Sequence, residues 1–447
     1  MSQKEGVNLQ LKVDEFIKAV SGTPMNLNFS GVISGISIDS RTIKQGEAFF
    51  ALKGENFDGH DFVEEALKKG QTIACVSKSM NLPNLILVKD TLIALQNLAK
   101  YYRKKIKIKC IGITGSNGKT TTKEMTARVL STKYKVLACE KSFNNQIGVP
   151  LTVTKIDQHE IGVFELGMNH PGEIKRLAEI VLPEIGVITN IQPVHIGYFN
   201  SLSDILEAKL ELREFVDLLV VNGDDPYLKR LDIDKKLIFF GLKNGNLKPS
   251  KIEFVDDGII FTCDGVKCKL NILSKHTIYN ALAAITIGKL FGIDIKDACL
   301  SLDGFTPLPG RGQIINIRDI KLIDSSYNSN PYAVIGELEG MQHLPGRKIV
   351  VLGDMLELGD KSKVWHEFIG KNLKRFGIEI LIAYGTLARY FFESANVQEK
   401  YYFNLDDFES LLNCVISILQ PGDTVLVKGS RRVQLDRLVN EIKSMEG

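Results

Sequence analysis

The sequence predicts an α/β protein of three domains: a small N-terminal α/β domain, a central doubly wound, mostly parallel sheet with a phosphate loop, and a Rossmann-like C-terminal domain. Three observations carry this. The chain has 447 residues, room for about three domains at ~150 residues each. From residue 106 onward short apolar runs alternate with helical stretches, the pattern of crossover units on a parallel sheet. The break GFTPLPGRGQI, with Pro307, Pro309 and Gly310, then separates one alternating block from a second. The expected domains are 1–105, 106–312 and 313–447.

In the first stretch, EAFFAL and TIACVS read as short strands. The central block opens with the strand KIKIKCIGIT, passes through a glycine turn and enters a helix at Lys119. Strands follow at KVLACE, EIGVFELG, EIGVITNI and DLLVVNG. The C-terminal block carries KLIDSSY, KIVVLGDM, EILIAYG and DTVLVKGS, again with helices between, as in a doubly wound domain.

Bulk properties exclude several classes. Hydrophobic residues at 44% and charged residues at 24% describe a globular protein with a sizeable core. A net charge of +3 demands neither nucleic acid nor an anionic membrane as partner. No run reaches the ~20 apolar residues of a membrane span. The polar opening MSQKEGVNLQLKVDEF has no signal-like apolar stretch, so a cytoplasmic location is expected. The seven cysteines are odd in number, lack a CxxC pair and lie mostly in apolar runs, as buried reduced thiols do.

The strongest local signal is IGITGSNGKTTTKEM, residues 111–125. Gly115 and Gly118 let backbone N–H groups approach phosphate oxygens. The following helix N-terminus adds positive potential, Lys119 a point charge, and the Thr120 hydroxyl a magnesium ligand. Ser116, Asn117 and Thr121 complete the loop. The strict P-loop pattern fails at one position, where Ile113 replaces the first Gly. The segment VTKID at 153–157 resembles a guanine-reading motif but comes too soon after Lys119 to be one.

Three further residues stand out. Glu165 ends an apolar strand beside the loop, where a carboxylate can hold Mg²⁺; a turn glutamate is the plain alternative. His195, in NIQPVHIGYF, is as readily a polar loop residue as a functional one. In NSLSDILEAKLELREFV, Ser201 and Asp204 form a capping box. At ~100° per residue, Leu202, Ile205, Leu206, Leu210, Leu212 and Val216 share one face of that helix, and Glu207, Glu211 and Glu214 the other. Lys209 falls within the apolar face, near Arg213. It must snorkel, pair with a carboxylate or be chemically changed; carbamylation would turn it into a carboxylate-like ligand.

These motifs resemble the Mur ligases, which build the peptide stem of peptidoglycan. The resemblance spans essentially the whole chain. It rests on ISIDSRTIKQGEAFFALKGENFDGHDF, TGSNGKTTTKEM, FNNQIGVPLT, ELGMNHPGEI, the stretch from His195 to AKLE, NALAA, PLPGRG, DSSYNSNP, VLGDMLELG and VLVKGSRRVQLDRLV. The stretches FFALKGENFDGHDF, SYNSNP and KGSR point to the branch that joins D-alanyl-D-alanine to UDP-N-acetylmuramoyl-tripeptide, with ATP as cosubstrate.

The resemblance implies roles. Gly115, Gly118, Lys119 and Thr120 match the triphosphate cradle. Glu165 and His195 match magnesium ligands, and Lys209 matches a lysine that is carbamylated and organises the second of two Mg²⁺. Asn280 and Arg311 match nucleotide contacts, with Asp324 beside them near the ribose. Asn144 and Asn145 match positions facing the sugar-peptide, and Ser40 and Arg41 lie in the motif for the UDP end. Tyr327, Asn328, Asn330, Lys428, Ser430 and Arg431 fall in the C-terminal substrate motifs. The last three lie where a strand end can hold a carboxylate or phosphate, or can be a plain polar turn. The implied reaction passes through an acyl phosphate and releases ADP and phosphate; the implied protein is a monomer.

Two positions depart from the family pattern: Thr277 stands where Asn is usual and Ser325 where Asp is usual. Two rival readings remain. One is another amide ligase of the same architecture, such as a folate polyglutamate ligase or the ligase that adds the third stem residue. The other is a nucleotide-hydrolysing switch protein.

Overall fold

The structure is a computed structural model. It describes residues 9–140, 142–193, 199, 201–232 and 236–445. The chain forms two compact units, one of residues 1–114, 133–187 and 208–219, the other of 115–132, 188–207 and 220–447.

The first unit holds a two-stranded sheet, Leu11–Lys12 with Val32–Ile33, a five-stranded N-terminal sheet and strands of a six-stranded one. The N-terminal sheet has five strands in the order Thr23–Met25, Leu85–Leu87, Ala74–Val76, Glu47–Phe50 and Gly35–Ser37, parallel except for the first pair. It contains both strands expected there. Its core gathers Phe49, Ala51, Val63, Ala66, Ala74, Val76 and Leu85. Four strands of the six-stranded sheet follow one another as Val136–Ala138, Ile161–Glu165, Lys109–Thr114 and Ile185–Ile188, with parallel pairing across the first three of these. Every residue of Ile161–Glu165 is buried, which is why this strand reads as an unbroken apolar run.

In the second unit the helix Lys119–Leu130 packs on the helix His276–Leu290. The latter is buried on nearly every side, so Ala recurs along it. The C-terminal sheet has six strands, in the order Gln313–Ile317, Ile320–Ser325, Thr424–Lys428, Lys348–Gly353, Ile380–Tyr384 and Glu399–Phe403. All its pairings are parallel except the first. Apolar clusters cover both faces, one around Leu338, Leu352 and Phe391, the other around Val351, Leu411 and Leu438.

One element departs from the expected alternation. Lys251–Val255, Gly258–Cys263 and Val266–Leu270 form a three-stranded antiparallel sheet. Its second hairpin turns through Asp264 and Gly265, both at positive φ (47° and 81°), the geometry in which Asp-Gly closes a two-residue loop. The helix at Leu202 also ends earlier than its apolar phase suggests. It spans Leu202–Leu210 and passes into a tighter turn at Glu211–Phe215. Glu211 is therefore not a free surface carboxylate: it accepts from Gly172 N (2.6 Å) and Lys175 N (2.9 Å), at the start of the helix Glu173–Val181.

None of the seven cysteines is in a disulfide; six are buried and Cys414 is half-buried. Among the described residues no helix is long and apolar enough to cross a membrane.

Candidate active site

The phosphate loop follows the strand Lys109–Thr114. Gly115 (φ 144°) and Gly118 (φ 80°) both adopt backbone conformations that L side chains rarely take. A Cβ on Gly115 would overlap Thr189 Oγ1, and one on Gly118 would overlap the Asn280 side chain. Two of the sequence-read residues, Gly118 and Asn280, are thus in contact, and Thr122 Oγ1 adds a hydrogen bond to Asn280 Oδ1 at 3.2 Å.

The loop is held by a segment whose role the sequence did not reveal. Ser116 N donates to Asn190 O (2.9 Å) and Ser116 Oγ to Gln192 O (2.9 Å), while Gln192 N donates to Ser116 Oγ (2.8 Å). Asn117 N donates to Asn190 Oδ1 (2.9 Å), and its carbonyl accepts from Thr189 Oγ1 (2.6 Å) and Asn190 Nδ2 (3.1 Å). Asn117 Nδ2 also bonds Gln192 Oε1. Asp225 steadies this clasp by accepting from Ile191 N at 2.8 Å. The available signal was the polar run TNIQ directly after an apolar strand.

Lys119 Nζ donates to the carbonyls of Gly115 (2.9 Å) and Ser116 (3.1 Å), so the ammonium curls over the loop it is meant to serve. Thr120 is buried and Thr121 half-buried on the same first turn. Asp224, beside the clasp, is desolvated, which acts to raise its pKa. Donors at Leu242, Lys243 and Asn244 and the Tyr279 hydroxyl outweigh that, so the carboxylate stays below its ordinary range.

Arg311 lies over the Tyr327 ring, 4.1 Å from its centroid, which brings two sequence-read residues together. Asp324 is buried and braces the same linker, accepting from Gly310 N (3.0 Å), Ser326 N (3.2 Å) and Ser326 Oγ (2.7 Å). Ser325 is wholly buried, and its hydroxyl has no hydrogen-bond partner among the described residues.

At the C-terminal sheet, Lys428 is buried; it donates to Asn328 O (3.0 Å) and pairs with Glu337 (3.3 Å). Ser430 Oγ accepts from Leu356 N at 2.9 Å, whereas Arg431 is exposed and pairs with Asp436 at 2.8 Å. The neighbouring loop is pinned by His366, whose Nε2 accepts from Met355 N (3.0 Å) and whose Nδ1 donates to Ser362 O (2.6 Å). Burial pushes its pKa down to about 4, so the ring is neutral.

In the first unit, Glu165 is 1% exposed and accepts from Asn144 Nδ2 at 2.7 Å. This joins a candidate metal ligand to a candidate substrate contact. Asn145 Oδ1 takes the N–H groups of Ile147 (3.1 Å) and Gly148 (2.9 Å) at a helix start. Ser40 is buried and donates to Glu65 (2.9 Å), while the exposed Arg41 pairs with Asp39 and holds that carboxyl down at about 2. Lys209 is 2% exposed, buried as its helical phase implies. The capping box is present, with Asp204 N donating to Ser201 Oγ at 3.1 Å.

His195 lies outside the described residues. Among those described, no three His, Cys, Asp or Glu side chains stand together as a metal cage. Thr120 and Glu165 are hard oxygen donors. A hydroxyl and a carboxylate are each the kind of donor magnesium takes, so each residue by itself fits that ion.

Three stretches of the chain match known family segments. Residues 32–114 match the Mur ligase family catalytic domain, 113–288 the Mur ligase middle domain and 310–431 the Mur ligase glutamate ligase domain. The chain is 35% identical over 448 residues to UDP-N-acetylmuramoyl-tripeptide--D-alanyl-D-alanine ligase of Bacillus subtilis strain 168, covering 96% of this chain and 98% of that protein. In structure it is similar to MurF from Acinetobacter baumannii, with a TM-score of 0.90 at 29% identity over 98% of this chain and all of that one. It is similar too to MurF ligase from Thermotoga maritima in complex with ADP, with a TM-score of 0.84, 27% identity and 92% and 97% coverage.

Proposed function

The chain belongs to the Mur ligase family, and from that premise we propose that it joins D-alanyl-D-alanine to UDP-N-acetylmuramoyl-tripeptide at the expense of ATP, a step in peptidoglycan precursor synthesis. The observation that carries the reading is the phosphate loop. A Cβ on either of its two glycines would overlap Thr189 or Asn280, and its lysine is within reach of the loop carbonyls, inside a chain that matches a tripeptide ligase over nearly its whole length.

A carboxylate does not acylate an amine at neutral pH, because its leaving group would be oxide. In the proposed route the tripeptide's terminal carboxylate oxygen attacks the γ-phosphorus of ATP, the bond to ADP breaks, and an acyl phosphate forms. The backbone N–H groups of the loop, the helix start at Lys119 and its ammonium offset charge on the transferring group. The amine of D-alanyl-D-alanine then attacks the acyl carbon, loses a proton, and phosphate departs with the electron pair of the broken C–O bond. Water must be kept from the acyl phosphate meanwhile.

Thr120, Glu165, His195 and a carbamylated Lys209 are the groups assigned to hold two magnesium ions. Those ions supply counter-charge to the phosphates when bound. Burial of Lys209 supports its assignment, since an ammonium there would have to be compensated or converted. Asn280, Arg311 and Asp324 are assigned to the nucleotide, Asn144 and Asn145 to the sugar-peptide, and Ser40 and Arg41 to the UDP end. Tyr327, Asn328, Asn330, Lys428, Ser430 and Arg431 are assigned to the C-terminal substrate region. Domain limits of 1–105, 106–312 and 313–447 go with these roles.

The deciding experiment mixes the protein with Mg·ATP, UDP-N-acetylmuramoyl-tripeptide and D-alanyl-D-alanine and weighs the product. A mass gain of one dipeptide less water, with one ADP released per product, is the expected result. Extension by another amine, or ATP turnover without the muramoyl peptide, would overturn the reading.

A further inference from the structure

Asn117 and Asn330 meet amide to amide although 213 residues separate them. Asn330 Nδ2 donates to Asn117 Oδ1 at 2.7 Å, and Asn117 Nδ2 lies 3.5 Å from Asn330 Oδ1. The first belongs to the phosphate loop. The second is the N-cap of the helix Pro331–Met341, where its Oδ1 accepts from Ala333 N at 3.0 Å. Asn330 thus uses its two ends for two tasks: the oxygen starts the helix and the nitrogen holds the loop.

The same helix is seated at further points. Gly336 lies so close to the His276 ring that no Cβ would fit, and Gly340 is equally tight against the Leu273 carbonyl. About two turns past the cap, Glu337 pairs with Lys428. A single helix therefore touches the phosphate loop at its start, the helix His276–Leu290 at its middle and the strand end Lys428 beside it. Asn117 lies in the stretch matched by the middle domain and Asn330 in that matched by the glutamate ligase domain. Of the described side chains that Asn117 bonds, Asn330 is the one outside the 189–192 clasp.

We infer that Asn330 is a positioning residue which, through Asn117, ties the state of the phosphate loop to the placement of the Pro331–Met341 helix and of Lys428. The inference rests on the ligase reading for its kinetic consequence. A phosphate entering the loop draws on the N–H groups around Asn117. Any turn of the Asn117 amide changes what it offers Asn330, because amide hydrogen bonds are directional. The helix then carries the change to Lys428.

The two tasks of Asn330 can be separated by substitution. Asn330→Ser keeps a capping oxygen and loses the reach to Asn117; Asn330→Ala loses both. The Ser variant is expected to melt with the wild type, to keep its KM for ATP, and to lose roughly tenfold in kcat, the size of one hydrogen bond lost in the transition state. Asn117→Ser/Asn330→Ser should be no slower than Asn117→Ser alone, because both changes remove one link. Independently of turnover, Mg·ADP should slow amide hydrogen exchange at residues 332–335 in the wild type and leave it unchanged in Asn330→Ser.

Wild-type kcat in Asn330→Ser would overturn the inference. So would losses that multiply in the double variant, or protection by Mg·ADP that persists without the Asn330 amide. A wild-type protein that makes no product sinks the ligase reading instead, while the exchange measurement still judges the link.

Discussion

The side-chain carbonyl of Asn280 occupies the space where a Cβ on Gly118 would lie, and it accepts a hydrogen bond from Thr122 at 3.2 Å. A residue on one helix thereby fixes the turn that starts another. The glycine at 118 is required by a neighbour as well as by its own φ of 80°. The loop is shaped by side chains from distant parts of the chain before any phosphate arrives, and its chemistry should respond sharply to single changes.

Lys119→Ala should abolish ADP release, by about 10²-fold or more in kcat, because the cation beside the transferring phosphoryl group is gone. Its ammonium donates to carbonyls of its own loop, and a melt run beside the assay separates lost chemistry from lost fold. Near-normal turnover in a rapid ADP-release assay would refute the assignment.

Lys209→Ala should be inactive although well folded, and a short carboxylic acid added at high concentration should restore part of the activity. The acid supplies the oxygens that a carbamate would have offered, at a position only 2% exposed. Wild-type activity in this variant would rule the carbamate out.

Gly115→Ala should destabilise by about 1–3 kcal/mol through a strained backbone, since φ is 144° there and the new methyl overlaps Thr189 Oγ1. Gly115→Ala paired with Thr189→Ala should recover some stability but not the backbone strain. Chemical denaturation of the three proteins checks this; an unchanged midpoint in Gly115→Ala would contradict the geometry.

His366 gives a pH dependence whose sign is fixed. The folded ring has a pKa of about 4, against an ordinary 6.5, because it is buried. Between those values the unfolded chain binds a proton that the folded chain refuses, so stability falls as pH drops through that window and is fully present above 6.5. The gap corresponds to about 3 kcal/mol. His366→Gln should flatten this part of the stability profile between pH 6.5 and 4. Identical slopes in melts of both proteins would show that the ring is not the group responsible.

Much of the fold was legible because buried parallel strands are written as short apolar runs closed by Gly or Asp; Ile161–Glu165 and Thr424–Lys428 are examples. Lys209 was legible because helical phase alone sets it among leucines. The antiparallel sheet of 251–270 went unread although Asp264-Gly265 announces a hairpin; the expectation of continued alternation overrode a local turn signal. The clasp at Thr189, Asn190 and Gln192 could not be found that way. Its partners lie 72 to 76 residues off in sequence, and nothing in the run TNIQ says which backbone it will bind. The same holds for Asn330, whose cap is a local signal but whose second bond is not.

With six of seven cysteines buried, Cys414 on the helix Phe408–Ile418 is the one half-buried residue among them. A maleimide dye should therefore mark the native protein at a single place without prior removal of other cysteines. That place belongs to the stretch matched by the glutamate ligase domain, so fluorescence from one natural handle can report how that part of the molecule responds as each substrate is added.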